Sequence, residues 1–208
     1  MTYQQVRAWS VLEPEQLAVF ERLPREDFAP ASWRGAAYGD LAIPLGDGQH
    51  MLMPSVVGRI LQAINVGRND RILEVGTGSG YLTACLALLG QQVHSLEIRP
   101  ALAQQARVHL KNAGVGNAVV EAANVFAWQS TQPAWDIIVL TGSLPVYDQR
   151  FESLLAPQGR LFVVTGDAPV MEARLIQKDN QGLLRVSSLF ETVIDPLDHA
   201  ATASRFEF

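Results

Sequence analysis

Nine residues, Leu73-Glu74-Val75-Gly76-Thr77-Gly78-Ser79-Gly80-Tyr81, carry the strongest chemical signal in this chain of 208 residues. Three glycines at alternate positions let the backbone turn tightly and approach a ligand without side-chain obstruction. The turn follows the apolar run Arg71-Ile72-Leu73, which has a strand's character. It leads into Tyr81-Leu82-Thr83-Ala84-Cys85-Leu86-Ala87-Leu88-Leu89, apolar and long enough to be a buried helix. A helix start offers unpaired N–H groups to polar ligand atoms. Glu74 stands just before the glycines, and Glu97 follows near the next strand end. Glu97 lies about twenty residues on, the distance at which an acid bonds ribose hydroxyls in nucleotide folds. Together these residues predict a site for a nucleotide-type ligand. The glycines run G-x-G-x-G, not the G-x-G-x-x-G of dinucleotide sites, so a nicotinamide-dependent oxidoreductase fits poorly.

No Ser-His-Asp or Cys-His arrangement for nucleophilic catalysis is evident. The four histidines (His50, His94, His109, His199) have no metal-ligand spacing with one another or with Cys85, the single cysteine, so no metal is expected. His109 reads as a satisfied or surface histidine on the helix expected over 100–113. Sixteen basic and 21 acidic residues give a formal charge of −5, and no basic cluster appears. A phosphate-tracking surface, and hence a nucleic-acid partner, is therefore not expected. No apolar run reaches membrane-spanning length, and Met1-Thr2-Tyr3-Gln4-Gln5-Val6-Arg7 lacks a signal peptide's pattern. With one cysteine and no internal disulfide possible, a cytoplasmic protein is expected.

The elements that must position the glycine turn alternate between strand and helix. Strand signals recur at Ile72–Val75, Val93–Glu97, Ala118–Glu121, Asp136–Leu140 and Arg160–Thr165, with helices expected over 80–89, 100–113 and 147–155. Such alternation means a mostly parallel sheet with helices on both faces and right-handed crossovers. Residues 171–178 and 183–194, around Asp179-Asn180-Gln181-Gly182, read as an antiparallel hairpin that closes the sheet. Upstream, residues 11–22 look helical. The Gly- and Pro-rich block through Gly48 reads as an ordered arm without long elements. Met53, Val56, Val57, Ile60, Leu61 and Ile64 give an amphipathic helix, with Gly67 and Asn69-Asp70 expected to close it. One domain over residues 1–208 is expected: an N-terminal helix and arm, 1–52, on an α/β core, 53–208.

Several segments together resemble the protein-L-isoaspartate O-methyltransferases, a family of class I S-adenosylmethionine-dependent methyltransferases. Leu23-Pro24-Arg25-Glu26-Asp27-Phe28-Ala29-Pro30 is similar to its Pro-Arg-Glu-x-Phe-x-Pro signature. Ala37-Tyr38-Gly39-Asp40 and Ile43-Pro44-Leu45-Gly46-Asp47-Gly48-Gln49 resemble its Ala-Tyr-x-Asp and Pro-Ile-Gly-x-Gly-Gln stretches. Leu155-Ala156-Pro157-Gln158-Gly159-Arg160-Leu161 is common among methyltransferases, and Asp195-Pro196-Leu197 resembles the family's closing Val-Pro-Leu. The likeness covers nearly the whole chain. It implies a Rossmann-like fold with a seven-stranded sheet. The implied cofactor is S-adenosyl-L-methionine, released as S-adenosyl-L-homocysteine, and the implied acceptor is the carboxylate of isoaspartyl residues in damaged proteins. By the same resemblance the cofactor rests on Glu74, Gly76, Thr77, Gly78, Ser79, Gly80, Tyr81, Glu97, Ile98, Asn124 and Val125. The acceptor side falls to Met51, Met53, Pro54, Thr141 and Gly142.

The departures concentrate on the acceptor side. Where the family reads Thr-Ile-Ser-Ala-Pro-His, with its serine hydroxyl by the substrate carboxylate, this chain reads His50-Met51-Leu52-Met53-Pro54-Ser55. Aligned on the proline, the catalytic serine position holds Leu52, without a hydroxyl. Ser55 is the candidate substitute, although its place suggests that it begins or caps the helix. The family's Gly-Asp-Gly-Ser appears as Ala123-Asn124-Val125-Phe126, where Asn124 keeps a carbonyl for an adenine amine. Thr141-Gly142 stands for its Thr-Ala loop. A carboxylate acceptor has an ordinary pKa of about 4 and needs no general base, so positioning and exclusion of water are enough. Met51, Leu52 and Met53 make the entrance more apolar. This leaves open a different protein or small-molecule acceptor, or a cofactor-binding protein without catalysis.

Overall fold

The computed structural model describes residues 14–130 and 132–202. The part of the first expected helix at residues 11–13 lies outside the described residues. The strands form where branched and long aliphatic residues run together: β3 (Arg71–Val75), β4 (Gln92–Glu97), β5 (Ala118–Ala122), β6 (Trp135–Leu140) and β7 (Leu155–Asp167). These five pair in parallel, and β8 (Val170–Lys178) and β9 (Leu184–Glu191) then continue the sheet antiparallel. The spatial order is β5-β4-β3-β6-β7-β8-β9. Successive side chains of a strand face opposite ways, and both faces are covered here, so the central strands read as unbroken apolar runs. Ile72, Ile137, Val139, Phe162 and Val164 enter one core. Their neighbours Leu73, Ile138, Leu140, Leu161 and Val163 enter the other.

Among the described residues, four helices cover the first core. They are α1 (Pro14–Arg22), α2 (Pro54–Ile64), α3 (Tyr81–Leu89) and α4 (Pro100–Asn112). In α3 every residue from Tyr81 to Ala87 is buried, because sheet and α1 both pack on it. The second core is closed by Phe151 of α5 (Arg150–Ser153) and by Phe126, Trp128 and Tyr147 on loops. The helix expected over 147–155 is thus reduced to one turn. Leu155 already pairs opposite Trp135 in the sheet, and Asp148 Oδ1 accepts the Arg150 N–H to start the turn late. For the same reason β7 runs past the expected 160–165, with an irregularity at Pro157-Gln158-Gly159.

The arm between α1 and α2 folds into two 3-10 turns, Arg25–Phe28 and Ala31–Ala36. A short antiparallel pair follows, β1 (Ile43–Gly46) with β2 (Gln49–Met51). Asn65 ends α2 by turning left-handed at φ 44°. Gly67, expected to do so, instead donates its N–H to Asp70 Oδ2 in the next turn. Ser55 does not cap α2: the flanking residue is Met53, and Asp40 Oδ1 takes the Ser55 N–H at 3.1 Å. After Glu191 the chain leaves the sheet, earlier than the expected strand end at 194, and returns toward β6.

Candidate active site

From β3 the sequence proceeds to β4 and β5 on one side and to β6 and β7 on the other, so strand order reverses at β3. Crevices at the carboxyl ends of strands beside such a switch are where open α/β sheets bind ligands. The glycine turn sits there. Gly76 has φ 95° and Gly78 φ 53°, conformations that L side chains rarely adopt. A Cβ on Gly76 would also lie 2.2 Å from Thr141 Oγ1. That hydroxyl donates to the carbonyls of Val75 and Gly76, tying the loop after β6 to the turn.

Other groups brace the turn from each side. Gly76 N–H donates to Leu96 O at 2.8 Å, and Thr77 Oγ1 meets Ser95 Oγ at 2.6 Å. Glu97 accepts Gly78 N–H on one oxygen at 2.8 Å and Arg99 N–H on the other at 3.0 Å. From α4, the His109 ring binds Ser79 O through Nδ1 at 2.8 Å, so this histidine is a structural brace. Glu74 is fully buried, and its Oε2 accepts the hydroxyls of Thr83 and Ser95, while Oε1 has no partner. Burial pushes the Glu74 carboxyl up to about 7 against those two hydrogen bonds, and Glu97 adds to the rise.

A cavity of about 300 Å³ opens over this turn. It gathers Glu74, Gly76, Thr77, Gly78, Ser79, Tyr81, Glu97, Ile98, Asn124 and Val125, and on its other side Met51, Leu52, Met53, Thr141 and Gly142. Gly80, Pro54 and Ser55 are not among its lining. The structure therefore does not bring the Ser55 hydroxyl into the cavity lining beside Leu52: Pro54 and Ser55 form the start of α2. Asn124 Oδ1 accepts Phe126 N–H at 2.9 Å, leaving one lone pair for a ligand amine.

The cavity also has walls that sequence reasoning missed. Arg25 is wholly buried and borders it, donating from Nε to Ala37 O at 2.9 Å and from Nη2 to Leu52 O at 2.6 Å. Its guanidinium lies 5.0 Å over the Tyr81 ring, and desolvation lowers its pKa from the ordinary value. His50 and Asp195 meet at 3.0 Å at the margin, and Arg99 and Asp198 at 2.7 Å. The segment Val193–Asp198 had been legible only as a motif, Asp195-Pro196-Leu197; nothing in its pattern placed it against the turn.

The donor set suits an adenosyl amino acid. Glu97 retains lone pairs for vicinal hydroxyls, Ile98, Leu102 and Val125 offer an apolar wall for a base, and the unpartnered Glu74 Oε1 suits a cationic group. Among the described residues no group of His, Cys, Asp and Glu is arranged to hold a metal ion, and no helix is long and apolar enough to cross a membrane. The sheet order, the turn at its switch point and the acid on the next strand define a class I S-adenosylmethionine-dependent methyltransferase.

Residues 3–200 match the family described as protein-L-isoaspartate(D-aspartate) O-methyltransferase. Over 195 residues the chain is 35% identical to protein-L-isoaspartate O-methyltransferase 2 of Syntrophobacter fumaroxidans, covering 90% of this chain and 76% of the relative. Over 203 residues it is 34% identical to protein-L-isoaspartate O-methyltransferase 1 of an Anaeromyxobacter species, covering 94% and 93%. The fold matches that of a Plasmodium falciparum protein-L-isoaspartate O-methyltransferase solved with S-adenosyl-L-homocysteine. That match has a TM-score of 0.82 at 18% identity, over 94% of this chain and 95% of the other. The chain belongs to the protein-L-isoaspartate(D-aspartate) O-methyltransferase family.

Proposed function

We propose that this chain esterifies the carboxylate of isoaspartyl residues in proteins and peptides, with S-adenosylmethionine as methyl donor. The observation that carries the reading is the cavity itself: one wall is the glycine turn with Glu97, the facing wall is the arm at Met51–Met53. When bound, the cofactor supplies a methyl group on a sulfonium, open to in-line attack. The chain's residues do the rest. Backbone at Gly76–Ser79 and the carboxylates of Glu74 and Glu97 hold the donor, with Ile98, Asn124 and Val125 at its base. Met51, Leu52 and Met53 exclude water from the acceptor side, and Thr141 and Gly142 border the gap between the two. A carboxylate is ionised at neutral pH and needs no proton removed, so orientation and desolvation supply the catalysis.

The partner is then a protein or peptide. An excess of acidic over basic residues, with no basic cluster, argues against nucleic acid. The buried, unpaired Cys85 accords with a reducing cytoplasm. The division into an acceptor arm, 1–52, and a cofactor-binding core, 53–208, belongs to this same reading. Incubation with an isoaspartyl peptide and radiolabelled S-adenosylmethionine tests it. Formation of a base-labile methyl ester is expected; no ester at high protein concentration rejects the assignment. A second reading, transfer to a more apolar acceptor, is favoured by Leu52 where the family has serine. Turnover on a lysate fraction, with none on isoaspartyl peptides, would select it.

A further inference from the structure

Among the described residues the charged side chains around the cavity are mostly paired, with Glu74 Oε1 and Arg25 Nη1 left over in buried positions. Glu97 holds two backbone N–H groups, Glu74 holds two hydroxyls, and Arg99 pairs with Asp198. Arg25 donates from Nε and Nη2 to the carbonyls of Ala37 and Leu52, and its guanidinium is wholly buried with Nη1 unpartnered among the described residues. His50 differs. Its Nδ1 meets Asp195 Oδ2 at 3.0 Å, and its other ring nitrogen has no partner among the described residues. The two side chains are 39% and 31% exposed, within reach of a ligand entering the cavity that both border.

Both ends of this pair are fixed. In β2 the Met51 side chain is buried in the core, so alternation turns His50 to the opposite side. Arg25 pins the same stretch through Leu52 O. Across the gap, Asp195 O accepts Ser143 N–H at 2.8 Å and Ser143 O accepts Leu197 N–H at 2.9 Å. The carboxylate thus sits on backbone paired with the loop after β6. A carboxylate on Nδ1 sets the ring orientation, and with Asp195 holding the Nδ1 proton the doubly protonated ring presents Nε2–H to the cavity as a charged donor. Met51, Leu52 and Met53 have no side-chain donor; the other donors on this side of the lining are the Gln49 amide and the buried Arg25.

We infer that His50 binds the acceptor carboxylate through Nε2, with Asp195 as its positioning residue, and so supplies the donor absent at Leu52. The inference rests on the isoaspartyl reading and names the group that recognises that acceptor.

The test uses the full chain and a synthetic isoaspartyl peptide. Calorimetry measures peptide binding to protein saturated with S-adenosylhomocysteine, and steady-state assays with S-adenosylmethionine give KM and kcat. His50→Ala is expected to weaken peptide binding and raise KM by about ten- to a hundredfold, the worth of one charge-assisted hydrogen bond. Neither kcat nor the affinity for S-adenosylhomocysteine should follow. His50→Gln, which keeps an N–H donor, should recover part of the loss, and Asp195→Asn should fall between. Peptide affinity unchanged in His50→Ala, or a loss of S-adenosylhomocysteine affinity by the same factor, overturns the inference. Wild-type protein that binds the peptide without methylating it removes the functional reading but leaves the inference standing. No peptide binding by the wild type sinks both.

Discussion

Replacing Glu74 by glutamine converts a buried acid into a neutral copy of its protonated form. The carboxyl is fully enclosed and titrates at about 7, against an ordinary 4.5. The folded state therefore holds this proton more tightly than the unfolded chain. Stability from this group is fully present below pH 4.5 and is lost as pH rises toward 7, above which a constant penalty remains. The span from 4.5 to about 7, at about 1.4 kcal/mol per unit, amounts to about 3 kcal/mol. Glutamine carries no such cost. Its carbonyl can accept the Thr83 and Ser95 hydroxyls as Oε2 does now. Urea unfolding of wild type and Glu74→Gln, without cofactor, should be compared at pH 5 and pH 8. Other titrations cancel in the difference between the two proteins. The variant should gain roughly 2–3 kcal/mol on the wild type over that interval. Parallel stability profiles across the interval would refute the reasoning, because they would mean that Glu74 is ionised as easily inside the fold as outside it.

The remaining predictions concern the turn and the arm. Gly78→Val places a branched side chain on backbone at φ 53° and should abolish binding of S-adenosylhomocysteine by calorimetry; retained affinity would move the site elsewhere. Leu52→Ser restores a hydroxyl facing the acceptor and should raise kcat/KM on isoaspartyl peptides by about tenfold, the worth of a hydrogen bond to a charged group. No gain would mean that the acceptor wall is remodelled more widely. Arg25→Gln removes donors to one buried and one partly buried carbonyl and should cost about 2–4 kcal/mol in chemical unfolding, while an unchanged midpoint would show that the arm is held by other contacts.

The parallel core was readable because each of its strands is a short apolar run followed by a turn or a helix, and local pattern and tertiary burial agree. Ile72–Val75 and Val93–Glu97 begin and end nearly where β3 and β4 do. The glycine turn was readable because its chemistry is contained in nine consecutive residues. What failed to show depends on contacts distant in sequence. Nothing local in 147–155 says that Leu155 will be taken by β6, so helical pattern prevailed on paper and sheet pairing in the structure. Arg25 looks like a solvated charge until two carbonyls and the Tyr81 ring are brought around it. His50 and Asp195 lie 145 positions apart, and only the return of the chain after β9 puts them together.

That return also bears on when the protein becomes competent. The ligand chamber borrows from the arm near residue 25, from the middle of the chain and from Val193–Asp198. A chain cut short before Val193 would keep the glycine turn but lack one side of the chamber. Grip on the adenosyl ligand thus doubles as a report that the segment after β9 has come back against the arm near residue 25, which a series of truncations through 193–198 can follow step by step.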